Sequence, residues 1–171
     1  MNFILMASKS LITLHIFQKD ISPWDAWRLL DWCRSKGANE FTFSFIYGES
    51  DKDAMEKRWS KISKSLEKDY LGEPKRGVLS FREGKRIVKN KMLWKLNKES
   101  INVLYKIFEG FLFTYWMDKF WPEDPIFYRN SEIMLGIVTH ESEGVIRVYP
   151  EEVEELKSLG IVIRDKGEYV S

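Results

Sequence analysis

Ile101–Trp121, INVLYKIFEGFLFTYWMDKFW, is the stretch whose reading decides the fold. At about 100° per residue, Asn102, Lys106 and Glu109 share one azimuth, so the first half reads as an amphipathic helix. In the second half that azimuth passes to Phe113, Trp116 and Phe120, while Phe111, Leu112, Tyr115 and Met117 take the other sides. A helix apolar on every side must be covered on every side, by the domain's own layers or by another molecule. Asn97 reads as its N-cap. Trp121-Pro122-Glu123-Asp124-Pro125 reads as its end, since proline cannot continue helical hydrogen bonding. A central apolar helix over 97–121 is therefore the expected core.

Around it the chain alternates strands and helices. Leu11–Phe17 is apolar on both faces, as suits a strand inside a sheet. Ser22-Pro23 supplies an N-cap and a first-turn proline for a helix over Pro23–Lys36, stopped by Gly37. That helix turns Trp27, Leu30 and Cys33 or Trp24 toward a core. Phe41–Tyr47 alternates, with Phe41, Phe43, Phe45 and Tyr47 on one side. Together these give a βαβ-like opening. A one-faced helix over Asp51–Asp69 follows, carrying Met55, Trp59, Ile62 and Leu66. Val78–Phe81 and Arg86–Val88 flank Arg82-Glu83-Gly84-Lys85 as a hairpin, its second strand running on toward Trp94. Ile133–Thr139 and Val145–Tyr149 flank a second hairpin turn at His140–Gly144. An acidic helix from Pro150 to Leu159, capped by Gly160, and a short strand Ile161–Arg164 complete the chain. The expected fold is a single α+β domain over 1–171, with a mixed or antiparallel sheet packed on the central helix.

Composition agrees with a globular protein. Of 171 residues, 44% are hydrophobic and 31% charged, which excludes a disordered or fibrous chain. No stretch approaches the roughly 20 nearly uncharged apolar residues of a membrane span, and Met1–Ser10 lacks a basic leader region. A cytoplasmic location without membrane insertion is the expectation. Cys33 is the one cysteine, so no intrachain disulfide and no multi-cysteine metal site is expected. Charge is segregated: residues 75–98 hold nine bases and one acid, whereas residues 118–171 hold twelve acids and six bases. Such segments steer a partner or neutralise each other.

Chemistry-bearing motifs are few. His140-Glu141-Ser142-Glu143 is the one place where a base, carboxylates and a hydroxyl sit together, yet no HExxH or GxSxG spacing accompanies it. His15, on a strand, reads as a hydrogen-bonded core histidine. Neither GxGxxG nor GxxxxGK[ST] occurs, so no nucleotide cofactor is expected, and no metal motif is present.

The expectation is thus a non-catalytic protein-binding module of the inhibitor, immunity or antitoxin kind, or a homo-oligomer. Its contact residues would be aromatic anchors (Trp94, Phe113, Trp116, Phe120, Trp121) with a charged rim from Arg82, Lys85, Arg86 and Lys89 or from Glu151, Glu152 and Glu155. A second reading makes the basic hairpin 75–98 a nucleic-acid binder, with cations on phosphates and an aromatic ring stacked on a base. A third makes His140, Glu141 and Glu143 the site of a small hydrolase or transferase.

Overall fold

The computed structural model describes residues 10–47, 52–73, 87–89, 92–108, 110, 112–113 and 122–165, without the side chains of 45–47 and 87–89. Nine strands pair among them: β1 (Ile12–Phe17), β2 (Glu40–Tyr47), β3 (Tyr70–Gly72), β4 (Ile87–Lys89), β5 (Leu93–Lys95), β6 (Glu123–Arg129), β7 (Glu132–Val138), β8 (Glu143–Val148) and β9 (Arg164–Asp165). Eight run in the order β3-β5-β2-β6-β7-β8-β1-β9, and β4 pairs with β2 as well. Every neighbouring pair is antiparallel. With four helices, α1 (Pro23–Ser35), α2 (Lys52–Ser65), α3 (Lys98–Ile107) and α4 (Val153–Ser158), this is a mixed α+β domain.

One register row explains the core. Trp94, Phe41, Phe127, Leu135, Ile146 and Leu14 sit opposite one another across six successive strands. All are buried. Because side chains alternate along a strand, this row and its second neighbours make one apolar face. A single cluster of buried side chains joins that face to Leu29 and Leu30 of α1, Met55 and Trp59 of α2, Leu104 of α3 and Leu156 of α4. Aromatic rings fill its centre: Phe43 stacks on Trp94 at 4.9 Å and meets Trp59 and Phe108 edge-on at 6.0 and 5.9 Å.

β1 and β2 run parallel, joined through α1, since four antiparallel pairings separate them. The strand–helix–strand opening expected from the sequence is present, with β6, β7 and β8 inserted between its strands. α1 is punctuated as its sequence implies. Ser22 Oγ accepts from the Asp25 N–H at 3.1 Å, Pro23 opens the first turn and Gly37 follows at φ 97°.

The central helix is shorter than 97–121. Asn97 caps α3 as expected, in a reciprocal pair of bonds with Ser100. The helix ends at Ile107, with Phe108 as its C-cap. Gly110, in the left-handed region at φ 84°, donates its N–H to the Tyr105 carbonyl at 3.0 Å and closes the end. Residues 112 and 113 lie in turns. Leu112 and Phe113 are nonetheless buried, so at these two positions the covering is met by a turn folded onto the sheet. Phe113 fits because Gly144 of β8 has no side chain: a Cβ there would lie 2.7 Å from its ring.

A strand replaces the loop expected after Trp121. β6 pairs with β2 and β7 in the middle of the sheet. Its start is bulged: Thr42 faces Ile126 and Ser44 faces Glu123, so Asp124 and Pro125 together oppose Phe43. A bulge is where a central strand tolerates proline. Asn130 and Ser131, at φ 52° and 63°, make the two-residue turn into β7.

Candidate functional site

Thr139-His140-Glu141 forms a helical turn between β7 and β8, with Ser142 left-handed behind it. This is the hairpin tip singled out by sequence, and it does not act as one cluster. Glu143 opens β8 and points across the sheet to β1, where its Oε1 lies 2.5 Å from His15 Nδ1. His15 is thus a hydrogen-bonded, nearly buried histidine. His140 instead meets the bulge of β6, with Nδ1 3.9 Å from Asp124 Oδ1, while Nε2 stands 3.9 Å from Glu141 Oε1.

The bulge decides which side chains meet. In a regular strand Glu123 and Asp124 would point to opposite faces. Asp124 lies at φ 50°, and ligand atoms of Glu123, Asp124 and His140 come within 4.8 Å of one another. The Asp124 side chain is 2% exposed. Its Oδ1 accepts from the Thr139 N–H at 2.9 Å and the Thr139 hydroxyl at 3.1 Å, which fixes the carboxylate against the turn. Sequence reading missed Glu123 and Asp124, taking them as loop. The signal that finds them is Asn130-Ser131 as a hairpin turn, which folds Asp124 back onto Thr139 fifteen residues later.

The acidic residues named as a rim are largely used within the fold. Arg129 and Glu152 form an ion pair with side chains 9% and 12% exposed, NH1 lying 2.8 Å and 3.1 Å from the two carboxylate oxygens. Glu152 also accepts from the Tyr149 N–H at 2.8 Å. Glu155 receives the Trp32 indole N–H at 3.1 Å and pairs with Lys36, tying α4 to α1. These bonds hold the Glu155 carboxyl below its ordinary value, the Lys36 bond contributing most. Glu151 is exposed. The partners of Glu152 and Glu155 are therefore Arg129 and Lys36, outside the basic segment 75–98.

The aromatic anchors divide similarly. Trp94 is fully buried between Phe41 and Phe43 and has no face to offer a partner. Phe113 is buried over Gly144. Both are core residues, correcting their expected place at a contact. Arg82, Lys85, Arg86, Trp116, Phe120 and Trp121 lie outside the described residues, and Lys89 is described only as backbone paired with Phe45.

Of Cys33 and Trp24, the alternatives for the core side of α1, Cys33 is buried and Trp24 is not. It is 71% exposed at the start of α1. Three residues on, Trp27 is buried, donates its indole N–H to the Gly110 carbonyl at 2.9 Å, and packs 5.1 Å from the ring of Tyr105, itself half exposed. Residues three apart share a helix face, so Trp24 and Trp27, with Tyr105 packed on Trp27, lie along one aromatic strip whose middle member is buried.

Elsewhere, burial pushes the Tyr128 phenol up to about 12, with Glu40 adding to the shift, and drives the Cys33 thiol well above its usual range. Cys33 is thus the inert thiol its surroundings imply. A cleft of about 250 Å³ lined by Arg129, Asn130, Glu132, Arg147 and Tyr149 opens at the far end of the β6–β7 hairpin, away from His140. Among the described residues no helix is long and apolar enough to cross a membrane. Comparison with protein-family models, with curated proteins and with solved structures gave no match.

Proposed function

We propose that this chain is a non-catalytic protein-binding module, of the stoichiometric inhibitor or immunity kind, anchored by Trp24 and Tyr105. The exposure of Trp24 carries the reading: a 71% exposed indole is an unusual use of apolar surface on a chain whose other described tryptophans are buried, and the half-exposed Tyr105 packs on Trp27 of the same helix face. Trp and Tyr are the residues most enriched at energetic centres of interfaces. The buried Trp27 and its bond to Gly110 hold the strip rigid, which lowers the entropy lost on binding. The Asp25–Arg28 pair on the same helix gives a charged border.

The test uses the full chain immobilised against an extract of its native host, followed by titration with the captured and purified partner. Trp24→Ala is expected to weaken that binding about 30-fold, the equivalent of about 2 kcal/mol for an interface hot spot, without moving the melting temperature. Equal binding by wild type and Trp24→Ala would refute the assignment. Sedimentation of the isolated chain separates a foreign partner from a second copy: a dimer that Trp24→Ala dissolves makes the partner the chain itself.

A further inference from the structure

We infer that Glu123, Asp124 and His140 form a binding site for a divalent transition-metal cation, independent of the aromatic strip. The three side chains bring one ligand atom each to within 4.8 Å of one another. Two carboxylates with one imidazole suit a borderline cation such as Zn²⁺ or Mn²⁺ better than Ca²⁺ or Mg²⁺, which favour oxygen-only shells of six or more.

Asp124 supplies the second observation. Its side chain is 2% exposed, yet among the described residues it forms no ion pair with a lysine or arginine, and His140 Nδ1 lies 3.9 Å away. Thr139 satisfies Oδ1 only, and Oδ2 accepts no hydrogen bond from a described residue. A buried carboxylate is expensive to keep charged unless a positive charge compensates it. His140 Nδ1 stands 3.9 Å from Oδ1, too long for a hydrogen bond and within about 0.5 Å of the separation of two ligand atoms around a tetrahedral zinc ion. A cation shared by this carboxylate and His140 would supply the missing positive charge.

The other ring nitrogen of His140 meets a carboxylate too. With Nδ1 on the side of Asp124, the opposite ring nitrogen lies 3.9 Å from the exposed Glu141 carboxylate, beyond hydrogen-bond reach but near enough to favour the imidazole electrostatically. Three protein ligands leave at least one position for water, so the ion stays accessible.

Isothermal titration of the chelator-treated full chain with ZnCl₂, repeated with MnCl₂, tests this. One ion per chain is expected, with no heat from MgCl₂ at the same concentrations. His140→Ala and Glu123→Gln should each weaken binding at least 10-fold, whereas Glu151→Gln should leave it unchanged. The circular dichroism of each variant is checked without metal, so a loss of binding is not mistaken for a loss of fold. Absence of saturable Zn²⁺ or Mn²⁺ binding, or binding that survives both substitutions, would overturn the assignment. Either result leaves the Trp24 experiment untouched, because the two sites share no residue.

Discussion

Gly144→Ala should destabilise this protein although alanine is normally better tolerated than glycine inside a strand. The φ of Gly144 lies outside the left-handed region, so an L-residue fits the backbone. With empty space above it, alanine would stabilise by about 0.4–1 kcal/mol through the unfolded chain. The space is not empty. The new Cβ would stand 2.7 Å from Cε1 and 3.1 Å from Cζ of Phe113, and 3.4 Å from the Gly136 carbonyl oxygen. The phenylalanine ring is 3% exposed and cannot swing into water. Across the sheet Gly144 is flanked by Ile16 and Ile137, both fully buried, so sideways movement is also blocked.

Forcing one methyl group into such a site costs about 1–3 kcal/mol. For a chain of this size that lowers the melting temperature by about 3–9 °C. The assay is urea denaturation of wild type, Gly144→Ala, Phe113→Leu and the double variant. Shortening the ring should relieve the clash, so the two changes should couple by at least about 0.5 kcal/mol. A stabilised Gly144→Ala, or strict additivity with Phe113→Leu, would refute the placement of Phe113. With it would go the account of how Phe113, beyond the end of α3, stays buried.

Two electrostatic predictions use the same denaturation assay. Glu152→Ala should cost about 3–5 kcal/mol, because it strands the 9% exposed Arg129 without a counter-charge; replacing both residues with apolar ones should recover much of the loss, and a single-variant cost below about 1 kcal/mol would show the pair to be solvated. Glu155 has a folded-state pKa below its ordinary 4.5, so the stability it contributes is present above that value and is lost as pH falls through the folded pKa. Wild type should therefore lose stability more steeply than Glu155→Gln below about pH 4.5, and parallel acid limbs would show that the Lys36 and Trp32 bonds do not persist in solution.

How much of this was legible in the sequence depends on how local each signal is. α1 was read nearly to the residue, because Ser22, Pro23 and Gly37 act on their own turns. β7 and β8 were read because alternation and a polar turn are local too. α3 was extended too far: its apolar periodicity continues past Ile107, and Gly110 was not weighed as a stop. Helical spacing alone leaves Cys33 and Trp24 as alternatives for the core side; Cys33 takes it, and Trp24, in the first turn, is exposed. The pairing of Glu152 with Arg129 and of Glu155 with Lys36 joins residues far apart in sequence, and no pattern on one element encodes it.

The loss of β6 from the sequence reading has a more specific cause. Asp124-Pro125 is a turn signature, and proline argues against a central strand. Both inferences are correct about the local backbone: Asp124 is left-handed and Pro125 donates nothing to the ladder. What they miss is that the sheet absorbs the irregularity as a bulge opposite Phe43, whose own ring is locked by Trp94, Trp59 and Phe108. The two residues that hide the strand are thus the ones that turn consecutive carboxylates toward one histidine. Local rules break where the surrounding fold is rigid enough to hold the exception, and such places are where chemistry is to be sought. By that argument the proposed cation site and the misread strand are one fact about residues 123–125, seen once as geometry and once as sequence.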